Sequence, residues 1–147
     1  MAYDVYTIDT NALLKHVLDE DYSDVVREIV SLHRASAIQL IAPDYILVEC
    51  ANVLWQRVRR GGLRIDELMP SFGALQAVGV NLVPQGELLE EALFFAAHTG
   101  VAVYDALFCV LSRREGAPLI TADGALVNRL DGTGIRTFAL AEWASPL

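Results

Sequence analysis

Apolar and polar positions follow two rhythms along this chain. Five short runs rich in β-branched and aliphatic residues read as strands: DVYTID (4–9), AIQLIA (37–42), VNLVP (80–84), PLITA (118–122) and IRTFA (135–139). Between them the apolar residues recur at helical spacing. Residues 11–34 predict two helices around the acidic break DEDYSD, with Ser23 as the candidate N-cap. Residues 44–60 predict a long helix stopping at Gly61-Gly62, followed by helices over 66–78, 87–99 and 105–115, the last stopping at Gly116. Strands alternating with helices imply a parallel sheet covered on both faces, because each parallel connection needs a crossover. The expected class is α/β, doubly wound. Repeats, low-complexity stretches and linkers are absent, so one domain over residues 1–147 is expected.

Composition narrows the picture. With 147 residues and 54 % hydrophobic content the chain can bury a sizeable core. A mean hydropathy of +0.36 raises the question of a membrane, but polar residues break every apolar run short of the ~18 that a spanning helix needs. The opening MAYDVYTIDTNALL lacks the basic region and cleavage site of a signal peptide, so a soluble, cytoplasmic protein with no membrane partner is expected. Cys50 and Cys109 sit in apolar segments at no zinc-site spacing and read as reduced core residues. The formal charge of -8, with Lys15 the sole lysine, gives no overall attraction to a polyanion. Any such attraction must be local. The segment RVRRGGLR gathers Arg57, Arg59, Arg60 and Arg64 at a helix end, where they either solvate the helix C-terminus or contact a nucleic acid or partner.

In open sheets of this kind, ligands bind beyond the carboxyl ends of the strands, where the strand order reverses. Asp9 closes the first run, Asp123 follows PLITA, and Asp105 is expected to open the helix before that strand. Taken singly, each has a plain role: Asp9 and Asp105 as N-caps, Asp123 as the first residue of an Asp-Gly turn. Glu49 lies inside PDYILVECANVLWQRVRR, where no cap is needed. On its own it reads as part of a solvated stripe with Asn52, Gln56 and Arg59 or Arg60. Leu47, Ala51, Leu54, Trp55 and Val58 supply the apolar cover, and Trp55 is expected in the core.

Taken together the four acids mean more. Carboxylates gathered without lysine or arginine repel one another, and a fold tolerates that readily only with a cation among them. Oxygen donors without a His or Cys cluster suit Mg²⁺ or Mn²⁺ rather than zinc. One or two such ions can activate water and stabilise the leaving oxygen in phosphodiester cleavage.

The ordered set IDTN, VECANVL, VYDALF and ITAD resembles the PIN-domain family of metal-dependent nucleases, and the short form is similar to the VapC-type toxins of prokaryotic toxin and antitoxin pairs. The resemblance runs from the first strand to the last, near Thr137 and Phe138. It implies Asp9 as the first metal-binding acid, Glu49 as the helix acid, and Asp105 and Asp123 as the remaining two. Asn11 and Thr121 match polar positions that support such a site. It also implies an α/β/α sandwich around a five-stranded parallel sheet of order 3-2-1-4-5, which sets Asp9 beside Asp123. A homodimer, Mg²⁺ or Mn²⁺, an RNA substrate and a small antitoxin occupying the site or its groove complete the expectation, with the basic helix over 44–60 as a place for partner or RNA.

Other chemistries fit poorly. A phosphoacceptor module needs a lysine near the last strand, and an aspartyl phosphatase needs Asp-x-Asp where this chain has Asp9-Thr10-Asn11. There is no G-x-x-x-x-G-K-[ST], Gly132 and Gly134 lack a dinucleotide fingerprint, and His16, His33 and His98 are scattered. The alternative from another class is a PIN-like protein-binding or regulatory module with negligible catalysis. The presence of all four acids argues against it.

Overall fold

A computed structural model of the chain describes residues 4–144. Five strands, β1 (Val5–Ile8), β2 (Gln39–Pro43), β3 (Asn81–Val83), β4 (Leu119–Thr121) and β5 (Thr137–Ala139), form one sheet in the order 3-2-1-4-5. Every neighbouring pair is parallel. The helices are α1 (Thr10–Leu14), α2 (Ser23–Arg34), α3 (Tyr45–Arg59), α4 (Ile65–Ala77), α5 (Leu89–Thr99), α6 (Val103–Glu115) and α7 (Gly124–Leu130). The doubly wound architecture and its strand order are as the sequence implied. Among the described residues, no single helix is long and apolar enough to cross a membrane.

The order reverses between β1 and β4, which are in register at Thr7 with Leu119 and Ile8 with Ile120. The pairing runs on past the strand, where the Asp9 amide donates to the Ile120 carbonyl at 3.1 Å. Asp9 is thereby fixed level with the end of β4. The core fills the space on either side of this seam. Residues 106–112 of α6 are buried without a break, because the helix packs against β1, β2, β4 and α5 at once. A helix enclosed in this way must be apolar all round. α2 shows the opposite pattern, burying Val26, Ile29 and Val30 at helical spacing and leaving its other face polar.

Three local expectations are corrected. Ser23 is not a cap: Tyr22, in a left-handed conformation, precedes α2, and the Ser23 hydroxyl instead donates to the Leu18 carbonyl at 2.6 Å and accepts from the Glu20 amide at 3.0 Å. Trp55 is not in the core but 49 % exposed, with the Arg59 guanidinium 4.8 Å from its ring centre. α7 is an additional helix, seven residues long, where the Asp-Gly pair reads as a simple turn. Cys50 and Cys109 are free and buried, as expected.

Candidate active site

The deepest acid is Asp9, which leaves β1 and caps α1. Its extended backbone lets Oδ1 accept from the Ala12 amide at 2.9 Å, a standard way to satisfy a free helix donor. Its Oδ2 accepts from the hydroxyl of Thr121, the last residue of β4. The same Thr121 oxygen accepts from the Asp123 amide at 3.0 Å. One buried hydroxyl therefore ties the ends of the two central strands together. Asp123 caps α7, accepting from the Ala125 and Leu126 amides at 3.0 and 3.1 Å.

The remaining two acids come from helices. In α3 the buried stripe is Ile46, Cys50 and Leu54, and Glu49 flanks it, turned towards α1. Its Oε1 accepts from the Thr10 hydroxyl at 2.7 Å. Asp105 is the third residue of α6, which begins after its N-cap, Ala102. This corrects the expectation that Asp105 caps that helix. The side chain is half-buried in the first turn and makes no cap bond there.

Asp9, Glu49 and Asp105 line one cleft of about 390 Å³ with Thr10, Asn11 and Asn52, closed on its other sides by Tyr45, Val48, Val53, Tyr104 and Phe108. No lysine or arginine lines it. Asp123 is not among the lining residues, although its charge acts on both Asp9 and Asp105. Asn11 lines the cleft, and Thr121 lies behind it as the anchor of Asp9.

Electrostatics reflects burial first and the neighbouring acids second. Burial pushes the Asp9 carboxyl from 3.8 up to about 7; hydrogen bonds from Thr121 and Ala12 oppose the rise, while Asp105 and Asp123 add to it. Burial is also the main reason Asp105 is raised, with Asp123 adding and Arg129 opposing. Glu49 is raised by burial and by Asp105, against the Thr10 hydrogen bond. All three cleft acids thus favour the proton more than free carboxylates do.

These donors suit a hard divalent ion in kind, being oxygens alone. Burial pushes the neighbouring thiols of Cys50 and Cys109 up to about 12, so both stay protonated at neutral pH. In position the set is open: among the described residues, no three His, Cys, Asp or Glu side chains stand together closely enough to hold a metal ion. Both Asp9 oxygens and one Glu49 oxygen face hydrogen-bond donors of the protein.

Sequence reasoning passed over Thr10, Tyr45, Tyr104 and Arg129. The signals were nonetheless present. Thr10 adjoins Asp9, Tyr104 adjoins Asp105, and Tyr45 precedes Glu49 by four residues, one turn away on the same face. Arg129 had no local signal, since its place beside Asp105 depends on how α7 folds back.

A parallel sheet of this order, with acids gathered beyond its carboxyl edge, is the architecture of the PIN domain. The model of that family matches residues 6–131, and the chain belongs to it. Among curated proteins, the chain is similar to Ribonuclease VapC3 of Pyrobaculum aerophilum, with 31 % identity over 124 residues, which is 83 % of this chain and 92 % of that protein. Among solved structures, the crystal structure of PAE2754 from Pyrobaculum aerophilum superposes with a TM-score of 0.65 at 19 % identity, over 90 % of this chain and 87 % of that one. This second likeness is one of fold.

Proposed function

We propose that the chain, as a single PIN domain, is a metal-dependent endoribonuclease and the toxin member of a toxin and antitoxin pair. The observation that carries the reading is the cleft itself: three acids from β1, α3 and α6 face one space that contains no lysine or arginine. Three carboxylates crowded in this way are most readily stabilised by a cation. The likeness to Ribonuclease VapC3 supports RNA as the substrate and a small antitoxin as the partner.

In this reading Asp9, Glu49, Asp105 and Asp123 would hold Mg²⁺ or Mn²⁺, which would supply a Lewis acid and a more acidic water for phosphodiester hydrolysis. The protein's own groups do the placing. Thr121 fixes Asp9 against β4 and couples it to the Asp123 backbone, while Thr10 holds Glu49 towards the cleft. Holding an ion would require Asp9 and Glu49 to exchange protein donors for the cation, and Asp105 to draw in towards them. Asn11 supports the site as a polar group of the cleft wall.

The exposed pairs Ile65 with Met69 on α4 and Leu89 with Leu93 on α5 suit a protein contact and support a homodimer, which light scattering on the purified chain would establish or exclude. A cytoplasmic setting follows from the substrate. The open spacing of the acids favours the second reading, a PIN-like regulatory module without catalysis.

The deciding experiment incubates several RNAs with purified protein and with Asp9→Asn, in Mn²⁺ and in chelator. The nuclease reading expects cleavage by the parent chain in Mn²⁺ only. Equal activity in parent and variant would sink the assigned mechanism.

A further inference from the structure

The carboxylate chemistry leaves the aromatic rim of the cleft unused. Tyr45 is the first residue of α3, and Tyr104 lies in the first turn of α6, immediately before Asp105. Although they come from separate helices, their rings stack at 5.6 Å between centroids with 17° between planes. Tyr104 remains 58 % exposed despite this contact, and Val48 beside the pair is 61 % exposed. Tyr45 packs against the core, whereas Tyr104, at the mouth of a polar cleft, leaves more than half of its surface in water.

What such a rim can bind follows from what the cleft lacks. With no lysine or arginine in its lining, its own side chains offer no positive charge to the phosphate backbone on either side of the scissile bond. Two of the four arginines at the end of α3 are engaged elsewhere: Arg57 pairs with Glu20, and Arg64 with Asp66 and Glu67. Arg129, which acts on Asp105, donates to the Gly100 carbonyl at 2.8 Å. A flat aromatic surface, by contrast, attracts any nucleobase through its π face.

We propose that Tyr104, backed by Tyr45, is a stacking platform for one unpaired base beside the scissile phosphate of single-stranded RNA, with the amides of Asn11 and Asn52 within the same cleft for the base edge. This rests on the nuclease reading for the position of the phosphate. The platform selects loops and open strands over duplex, because a base in an A-form helix has both faces covered. It also sets substrate affinity without adding positive charge to an acidic protein.

The test uses the full chain, Mn²⁺ and a series of short single-stranded RNAs carrying 2-aminopurine or an abasic site at successive positions. Stacking of one base predicts that Tyr104→Leu raises KM about tenfold or more with kcat nearly unchanged. Tyr104→Phe and Tyr104→Trp should keep KM near that of the parent. At one register the abasic RNA should show the same KM increase with the parent chain and no further increase with Tyr104→Leu. Quenching of 2-aminopurine at that register should persist in Asp9→Asn, where cleavage is lost, and vanish in Tyr104→Leu. Tyr104→Ser, checked for a native melting curve, serves if the leucine variant misfolds.

Cleavage with a KM indifferent to Tyr104 and to the abasic site overturns the platform and leaves the nuclease reading standing. Tyr104-dependent quenching without any cleavage supports the platform and overturns the nuclease. Absence of both overturns both.

Discussion

At the floor of the cleft Asp9 is 7 % exposed and both its carboxylate oxygens are hydrogen-bonded, whereas at the rim Tyr104 is 58 % and Val48 61 % exposed. The floor is expensive. It buries an acid beside other acids and raises the Asp9 carboxyl to about 7. The rim leaves large apolar side chains in water, which costs a folded monomer little. Under the proposed function the two regions have separate tasks on one small surface: the floor would carry the chemistry at the expense of stability, and the rim would make contact. Changes at the floor should therefore move activity and stability in opposite senses, while changes at the rim should move only binding.

The largest effect is expected at the floor. Asp9→Asn should lower Mn²⁺-dependent RNA cleavage by more than about 100-fold. In urea denaturation without metal at pH 8 the same variant should be more stable, by roughly 1–3 kcal/mol, since it removes a buried charge. A variant less stable than the parent would remove the contrast between floor and rim.

Thr121→Val comes next. It deletes the donor to Asp9 and the acceptor for the Asp123 amide while keeping side-chain shape. A loss of about 1–3 kcal/mol and of about 10- to 100-fold in activity is expected from denaturation and initial-rate measurements. Here the two properties fall together, because Thr121 supports the floor without carrying its charge.

The metal-free parent should also show a characteristic pH dependence. Between pH ~4 and ~7 the unfolded chain has released the Asp9 proton while the folded chain retains it. The folded state then binds more protons, so stability falls as pH rises through this window and levels off above about 7. The raised Glu49 and Asp105 act in the same direction. Urea midpoints at pH 5, 6, 7 and 8 should decline, and Asp9→Asn should flatten the decline.

A smaller stability change is expected for Glu49→Gln, which can still accept the Thr10 hydrogen bond: within about 0.5 kcal/mol of the parent, with activity reduced. The smallest lies outside the cleft. Trp55→Ala should alter stability by no more than about 0.5–1 kcal/mol, the scale of its exposed contact with Arg59, and leave cleavage rates unchanged.

The frame of the molecule was legible because strands and helices here differ in period. All five strands and six of the seven helices fall where hydrophobic spacing places them, and the alternation dictates a parallel sheet. α7 was hidden by its brevity and by the Asp-Gly that starts it. Trp55 was misplaced for a geometric reason. Ile46, Cys50 and Leu54 define the buried stripe of α3, and at 3.6 residues per turn position 55 points nearly opposite Ile46. Neighbouring apolar letters do not share a face.

Of the four acids that the sequence singles out, one cleft gathers Asp9, Glu49 and Asp105. Their surroundings were not legible. That Asp105 sits inside the first turn of α6 rather than at its cap depends on where Ala102 ends the preceding loop. The stacking of Tyr45 on Tyr104 joins residues 59 apart in sequence (104 − 45), a pairing that only the tertiary fold creates.

Asp9, Glu49 and Asp105 are proposed to form one site for a divalent cation. The most direct test is the melting temperature of the purified chain with and without Mn²⁺, alongside Asp9→Asn and Asp105→Asn. An ion that binds only the native state must stabilise it by mass action, so at about 100 times its Kd the parent should gain about 2.7 kcal/mol, or several degrees. Both variants should melt above the metal-free parent and gain little from Mn²⁺. Millimolar Mn²⁺ that leaves the parent unmoved, or that raises parent and variants alike, would contradict the account.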